Sequence, residues 1–164
     1  MMRYSDFEKL IHNMAAAASE SARKAFAVDT INRLYASAER AIHDEFTESE
    51  RLLLREIVAG LESLPAAVLK GKVRELDDSQ CRDPIRAIEF NPKVTELVCA
   101  ADSWADYRIT NDPVHVAHIA INMVNVVDHE IGDQASEYST ENMLGAPEMV
   151  AEHDRQQRML VAAE

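Results

Sequence analysis

The sequence is poor in the residues that punctuate, staple or arm a small protein. Its 164 residues include 4 glycines and 5 prolines, which excludes a collagen-like repeat, a glycine-rich linker and a disordered tail. Two cysteines, Cys81 and Cys99, cannot build a disulfide framework or, by themselves, a tetrahedral metal site. Basic residues are scarce: 17 Lys and Arg stand against 29 Asp and Glu, a formal net charge of −12. Neutralising phosphates needs the opposite balance, so free nucleic acid is excluded as a ligand. No run approaches the about eighteen apolar residues of a membrane span. The opening MMRYSDFEKL has no apolar signal core and carries acids early, so the sequence predicts a reducing, cytoplasmic setting without membrane attachment. Chemical signatures are missing too. There is no GxSxG elbow, glycine-rich phosphate loop, CxxC or HExxH, each of which places a reactive group in a defined backbone context.

What remains is a chain that is 47 % hydrophobic and 28 % charged, long enough for one domain over residues 1–164 and too short for two ordinary ones. Helix start signals recur along it. Ser5 with Glu8 and Thr47 with Glu50 have the spacing of capping boxes, in which the hydroxyl accepts from an orphan amide and the glutamate reaches back. Phe7, Leu10, Ile11, Met14 and Ala18 then share one helical face. An alanine-rich stretch continues through Phe26, Ile31, Leu34 and Ile42, as one long helix or as two joined near residues 19–22. Leu53, Leu54, Ile57, Val58 and Leu61 form the next face. Pro65 opens a further helix, and residues 77–84 (DDSQCRDP) read as a polar loop before one helical turn at 85–90. Asn91 with Pro92 and Asp112 with Pro113 start two more helices. Gly132 is expected to end the second, and Pro147 begins a C-terminal one. No segment alternates as a strand does. The expected fold is all-α, a bundle of six or seven helices with a buried central helix near 113–130.

That helix departs from an ordinary pattern. On a wheel of 100° per residue, Asn111, His115, His118, Asn122, Asn125 and His129 fall within about 80° of one another. Between Val114 and Val127 every other residue is Val, Ile, Ala or Met. A helix apolar on nearly all sides belongs inside its domain. Its amides and imidazoles are therefore either a satisfied core network or the lining of a ligand pocket, with His115, His118, Asn122 and Asn125 as the candidate residues. A metal-dependent hydrolase or metal-binding bundle is the alternative. Its ligands would be His115, His118 and His129, or His12 with the His43-Asp44 doublet and Asp128, an order that loosely resembles metal-dependent phosphohydrolases of the HD type. Neither set comes with supporting flanking sequence, so no metal or cofactor is predicted. Cys99 has the spacing of a buried small residue. Cys81 is next to Arg82, which would lower its pKa.

The acids are unevenly spread. Residues 128–164 hold nine (Asp128, Glu130, Asp133, Glu137, Glu141, Glu148, Glu152, Asp154 and Glu164) against Arg155 and Arg158. Smaller knots lie at Asp44, Glu45, Glu48 and Glu50, and at Glu75, Asp77 and Asp78. Such runs either keep a surface soluble or make a docking face for a basic protein.

The stretches AFAVDTINRLYASAERAIHDEF, RLLLREIVAGLE and NPKVTELVCAADSWADYRITNDPVHVAHIAINMVNVVD resemble an uncharacterised all-helical bacterial family, the YjaG-like proteins. The likeness lies in the Ala-Phe-Ala opening, the Arg33-Leu34-Tyr35 triplet and the pairing of helices after Pro92 and Asp112. It spans roughly residues 24 to 130 and brings no catalytic residues with it. The small, acidic, helical character is also similar to bacterial immunity proteins that neutralise a toxin. The expectation is a binding protein whose acidic face, with Asp128, His129, Asp133, Glu137, Glu141 and Glu148, meets a basic partner. Met159 and Leu160 offer a homodimer seam, although a terminal amphipathic helix more often packs on its own domain.

Overall fold

A computed structural model of the protein describes residues 4–134 and 145–161. Every regular element among them is a helix: α1 (Tyr4–Ala17), α2 (Glu20–Ser37), α3 (Glu39–Glu45), α4 (Glu48–Ala59), α5 (Ala66–Cys81), α6 (Pro84–Glu89), α7 (Pro92–Thr110), α8 (Val114–Gln134) and α9 (Pro147–Val161). The all-α expectation holds, with nine helices among the described residues where six or seven were expected. The excess comes from the alanine-rich stretch and from α6, which was expected as a single helical turn. The alanine-rich stretch gives three helices. It breaks at Ser19, whose hydroxyl accepts from the Ala22 amide, and again at Ala38, which lies outside helical geometry between α2 and α3.

Several helix limits follow their local chemistry. Thr47 and Glu50 form the reciprocal capping box at the start of α4. Asn91 caps α7 through the Lys93 amide at 3.0 Å, and the Asp112 carboxylate accepts from the Val114 amide at 3.0 Å. Asn111 turns the chain between α7 and α8 with φ 59°, a left-handed conformation that asparagine tolerates better than most residues. Other limits differ from expectation. Ser5 lies within α1 rather than at its cap. Residues 77–81 continue α5 instead of forming a loop, because Gln80 is buried and Ser79 is tied to Glu50. Gly132 does not end α8, which runs to Gln134; no glycine among the described residues has a positive φ.

α8 is the centre. It lies against α7, α2, α1 and α9, and Val116, Ala117, Ile119, Ala120 and Val124 are fully enclosed. Phe7, Phe26, Ile31, Leu34 and Leu97 complete the core around it. The second half of the bundle, α4 and α5, attaches through α7. The Trp104 indole N–H donates to the Leu61 carbonyl at 2.7 Å, and the Arg108 guanidinium reaches the Leu61 and Leu64 carbonyls. These bonds satisfy the otherwise orphaned carbonyls of the α4–α5 connection.

α9 carries a buried polar network that its acidic composition does not announce. Arg155 pairs with Glu152 at 2.8 Å, reaches Asp29 at 2.9 Å and Thr30 at 3.0 Å on α2, and lies over the Phe26 ring. Gln156 donates to Glu152 and to the Ala120 carbonyl of α8. Glu152 is therefore an internal group and not part of an outer acidic face. Leu160 is 2 % exposed and Met159 packs against the core, so the expected dimer seam is turned inward.

Removing one member of a buried ion pair leaves the other charged and unpaired. Arg155→Met should therefore cost about 3–5 kcal/mol in urea denaturation. The double variant Arg155→Met/Glu152→Leu should recover most of that loss, since an apolar pair of similar volume fits the same space.

Candidate functional site

The polar stripe of α8 divides into three environments. In its middle, Asn122 and Asn125 both donate to the Glu96 carboxylate of α7, at 2.5 and 3.1 Å. One carboxylate organises two amides across a helix seam, while the buried Asn122 Oδ1 has no hydrogen-bond partner among the described residues. Toward the start of α8, His118 stands edge-on to His115 and to His12 of α1, each with ring centroids 6.1 Å apart. The cluster combines residues from both sets considered as metal ligands. Burial, then the neighbouring His115 and His12 rings, push the His118 imidazole below its usual range, with Asp112 opposing. Toward the end of α8, His129 lines an open groove with Ser37, Arg40, Asp44, Glu45, Glu89, Asn91 and Lys93.

Neither metal set is gathered as expected. His129 is about 16 Å along the helix axis from His118, at 1.5 Å per residue. His12 lies beside His118, while His43 is 84 % exposed and pairs with its neighbour Asp44 at 3.2 Å. Among the described residues, no group of three or more His, Cys, Asp or Glu is placed to hold a metal ion.

Asp128 points inward. Burial raises its carboxyl above the usual range, with His129 opposing, and its buried Oδ1 has no hydrogen-bond partner among the described residues. It sits near Tyr4, whose hydroxyl is pushed up by burial and by Glu8, Asp128 and Glu96. Glu130 is engaged by Lys93 at 3.0 Å and by Ser37. Glu148, at the start of α9, is exposed. The Asp133 side chain, Glu137 and Glu141 lie outside the described residues. Both cysteines are exposed, Cys99 contrary to expectation. Burial and then Asp77 raise the Cys81 thiol, the reverse of an arginine-activated thiolate.

The structure also joins what the sequence keeps apart. Glu50, 2 % exposed, accepts from Arg86 and from the Ser79 hydroxyl at 2.9 Å. This junction brings the acidic knot of Asp44, Glu45 and Glu48 to the same end of the bundle as Glu75 and Asp78. Asp44, Glu48, Glu75, Asp78 and Glu89 are exposed there. The nearby bases are partly occupied: Arg86 by Glu50, and Arg51 by the His43 and Phe46 carbonyls. Arg40 and Arg82 remain exposed. Burial alone would raise the Glu50 carboxyl, but the Arg86, Thr47 and Ser79 hydrogen bonds outweigh it and hold it at about 2. No sequence signal pairs Glu50 with Arg86, because they lie 36 residues apart and each has a nearer partner at helical spacing, Thr47 for Glu50 and Asp83 or Glu89 for Arg86. The acidic end is the candidate interaction site. Compared with protein-family models, with characterised proteins and with solved structures, the chain matches none.

Two pH-dependent outcomes follow from opposite signs. Glu50 is depressed, so its stabilisation is complete above its unfolded value of 4.5 and is lost as pH falls toward about 2. That loss is on the order of 3 kcal/mol, and it should be missing from the acid-side denaturation profile of Glu50→Gln. Asp128 is raised, so its charge costs stability at neutral pH. Asp128→Asn should raise the melting temperature at pH 7, with the gain fading as pH drops to the free aspartate value of 3.8. An unchanged melting temperature at both ends would refute the inward placement of Asp128.

Proposed function

We propose that the protein is a non-enzymatic docking protein that binds a basic protein partner, in the manner of a bacterial immunity protein occluding a toxin. The observation that carries this reading is the convergence of two acidic knots at the Glu50–Arg86 junction, on a chain with a net charge of −12. A single-sign surface on rigid helix ends raises the association rate with an oppositely charged partner and disfavours acidic competitors. Occlusion then needs no chemistry from the inhibitor; the helix ends cover the positive surface that the partner uses for its own ligand.

The rigidity has a source. Glu50 fixes the start of α4, the end of α5 and α6 through one carboxylate, so Asp44, Glu48, Glu75 and Asp78 stand on a preorganised frame. Lower ordering cost at binding is worth as much as additional contacts. Asp133, Glu137 and Glu141 follow His129 in the chain and add to its net negative charge, with Glu148 beyond them.

The test captures partners at low salt, identifies the bound protein by mass spectrometry, and repeats binding with both components purified. A stoichiometric complex with a net-positive protein is expected, weakened by salt. Association should slow about tenfold or more for Asp44→Lys/Glu48→Lys/Glu75→Lys/Asp78→Lys, with a flatter salt dependence. A partner of neutral or acidic character, or kinetics indifferent to this variant, would overturn the assignment of the surface. An effect confined to Asp133→Lys/Glu137→Lys/Glu141→Lys would move the contact to the segment after α8.

A further inference from the structure

α1 packs chiefly on α8 and α9, and an imidazole stands at both seams. Its apolar face, Phe7, Ile11 and Ala15, is fully enclosed. On the α9 side, the His153 ring lies flat against Phe7, with centroids 4.2 Å apart and planes 11° from parallel. Its Nε2 is buried and has no hydrogen-bond partner among the described residues. On the α8 side, His118 holds its edge-on position against His12 and His115. A third tie is of another kind. Arg23 of α2 donates to the Ala15 and Ala16 carbonyls at 2.8 and 2.7 Å, and so anchors the C-terminal end of α1 with a group that stays charged at any ordinary pH.

Neither seam suits a charged imidazole. At His153 a second ring proton would meet no acceptor in an apolar stack, and a buried donor without a partner is costly. At His118 the neighbouring His115 and His12 rings oppose a positive charge. Burial holds the His153 imidazole below its usual range, opposed by Glu152 and Asp154 on its own helix. The other charges near α1 are its own Asp6, Glu8 and Lys9, Glu96 on α7, and Asp112 and Asp128 from the α8 side. Asp112 favours a charged His118. Asp128 acts in the opposite sense to the histidines, since its protonation relieves a penalty.

We propose that α1 is a clasp released by acid: protonation of His153 and His118 lifts α1 from α9 and α8. The apolar surfaces that Phe7, Ile11 and Ala15 cover at neutral pH are thereby exposed. The chain remains tethered through Arg23, so the opening is a swing about the end of α1 and leaves the rest of the bundle in place. The sign follows from linkage. An imidazole kept neutral in the docked state contributes fully above its free value and loses that contribution as pH falls below it. Below the free value of about 6.5, each such imidazole weakens docking by up to about tenfold per pH unit, and the two act together.

Hydrogen exchange of the full chain, corrected for intrinsic rates, reads this directly at about pH 7.5 and about pH 5.5. Protection across α1 should fall at least tenfold relative to α7 on acidification, while α7 and the buried part of α8 keep theirs. His118→Gln/His153→Phe should abolish the fall. The His118→Gln single variant, which leaves the Phe7 stack intact, should reduce the fall without abolishing it. Equal protection of α1 at the two pH values would overturn the clasp. So would loss of α1 and α7 in a single step, or a double variant that retains the wild-type response.

Discussion

The structure depends on burying α8, a helix with almost no polar residue outside one stripe. Covering it takes four neighbours, α7, α2, α1 and α9, because an apolar helix without a wet face must be enclosed on every side but one. That remaining side sets the register of the others. Glu96 must meet Asn122 and Asn125, which fixes how α7 lies along α8. His12 must meet His118, which fixes α1. Gln156 reaches the Ala120 carbonyl and ties α9 to the same helix. Apolar packing alone would allow neighbouring helices to slide by a turn at small cost. Hydrogen bonds at defined heights penalise such slippage, since a displaced partner leaves a buried polar atom unsatisfied.

A second constraint operates at the junction of α4, α5 and α6. Their positions relative to one another rest on Glu50, which serves at once as a capping-box glutamate, an acceptor for Ser79 and the partner of Arg86. The local role and the long-range role use the same carboxylate. A glutamate at the third position of a helix is usually half-solvated and worth little beyond its cap. Closing α5 and α6 over it converts the cap into a buried junction, and the acids carried by those helix ends inherit its rigidity.

What could be read from the sequence divides along the same line. Helix starts at Thr47, Asn91, Asp112 and Pro147 were legible, because each depends on chemistry within three or four residues. The apolar character of residues 114–127 likewise predicted the central helix. The ends of α5 and α8 were not legible. Ser79 and Gln80 look like loop residues until Glu50 is seen across the junction, and Gly132 resembles a stop signal although nothing near it requires one. The acids were misleading in a definite way. Composition counts Glu152 and Glu148 alike, yet one is locked against Arg155 inside the bundle and the other lies at the surface. The difference is set by Asp29 and Thr30, more than a hundred residues away in the chain. Charge type is local information; charge partnership is not.

The two classes of acid bear differently on function. Glu50, Glu96 and Glu152 each organise several donors, and their loss would be felt throughout the bundle. Asp44, Glu48, Glu75 and Asp78 are exposed, and pairs at such positions contribute about 0–1 kcal/mol to folding. Stability therefore exerts little pull on their identity, while mutual repulsion among them acts against the compact state. A surface that keeps like charges at the ends of fixed helices gains little in folding from doing so. Under the proposed docking function, the gain lies in the field projected outward, which a positively charged partner fits best.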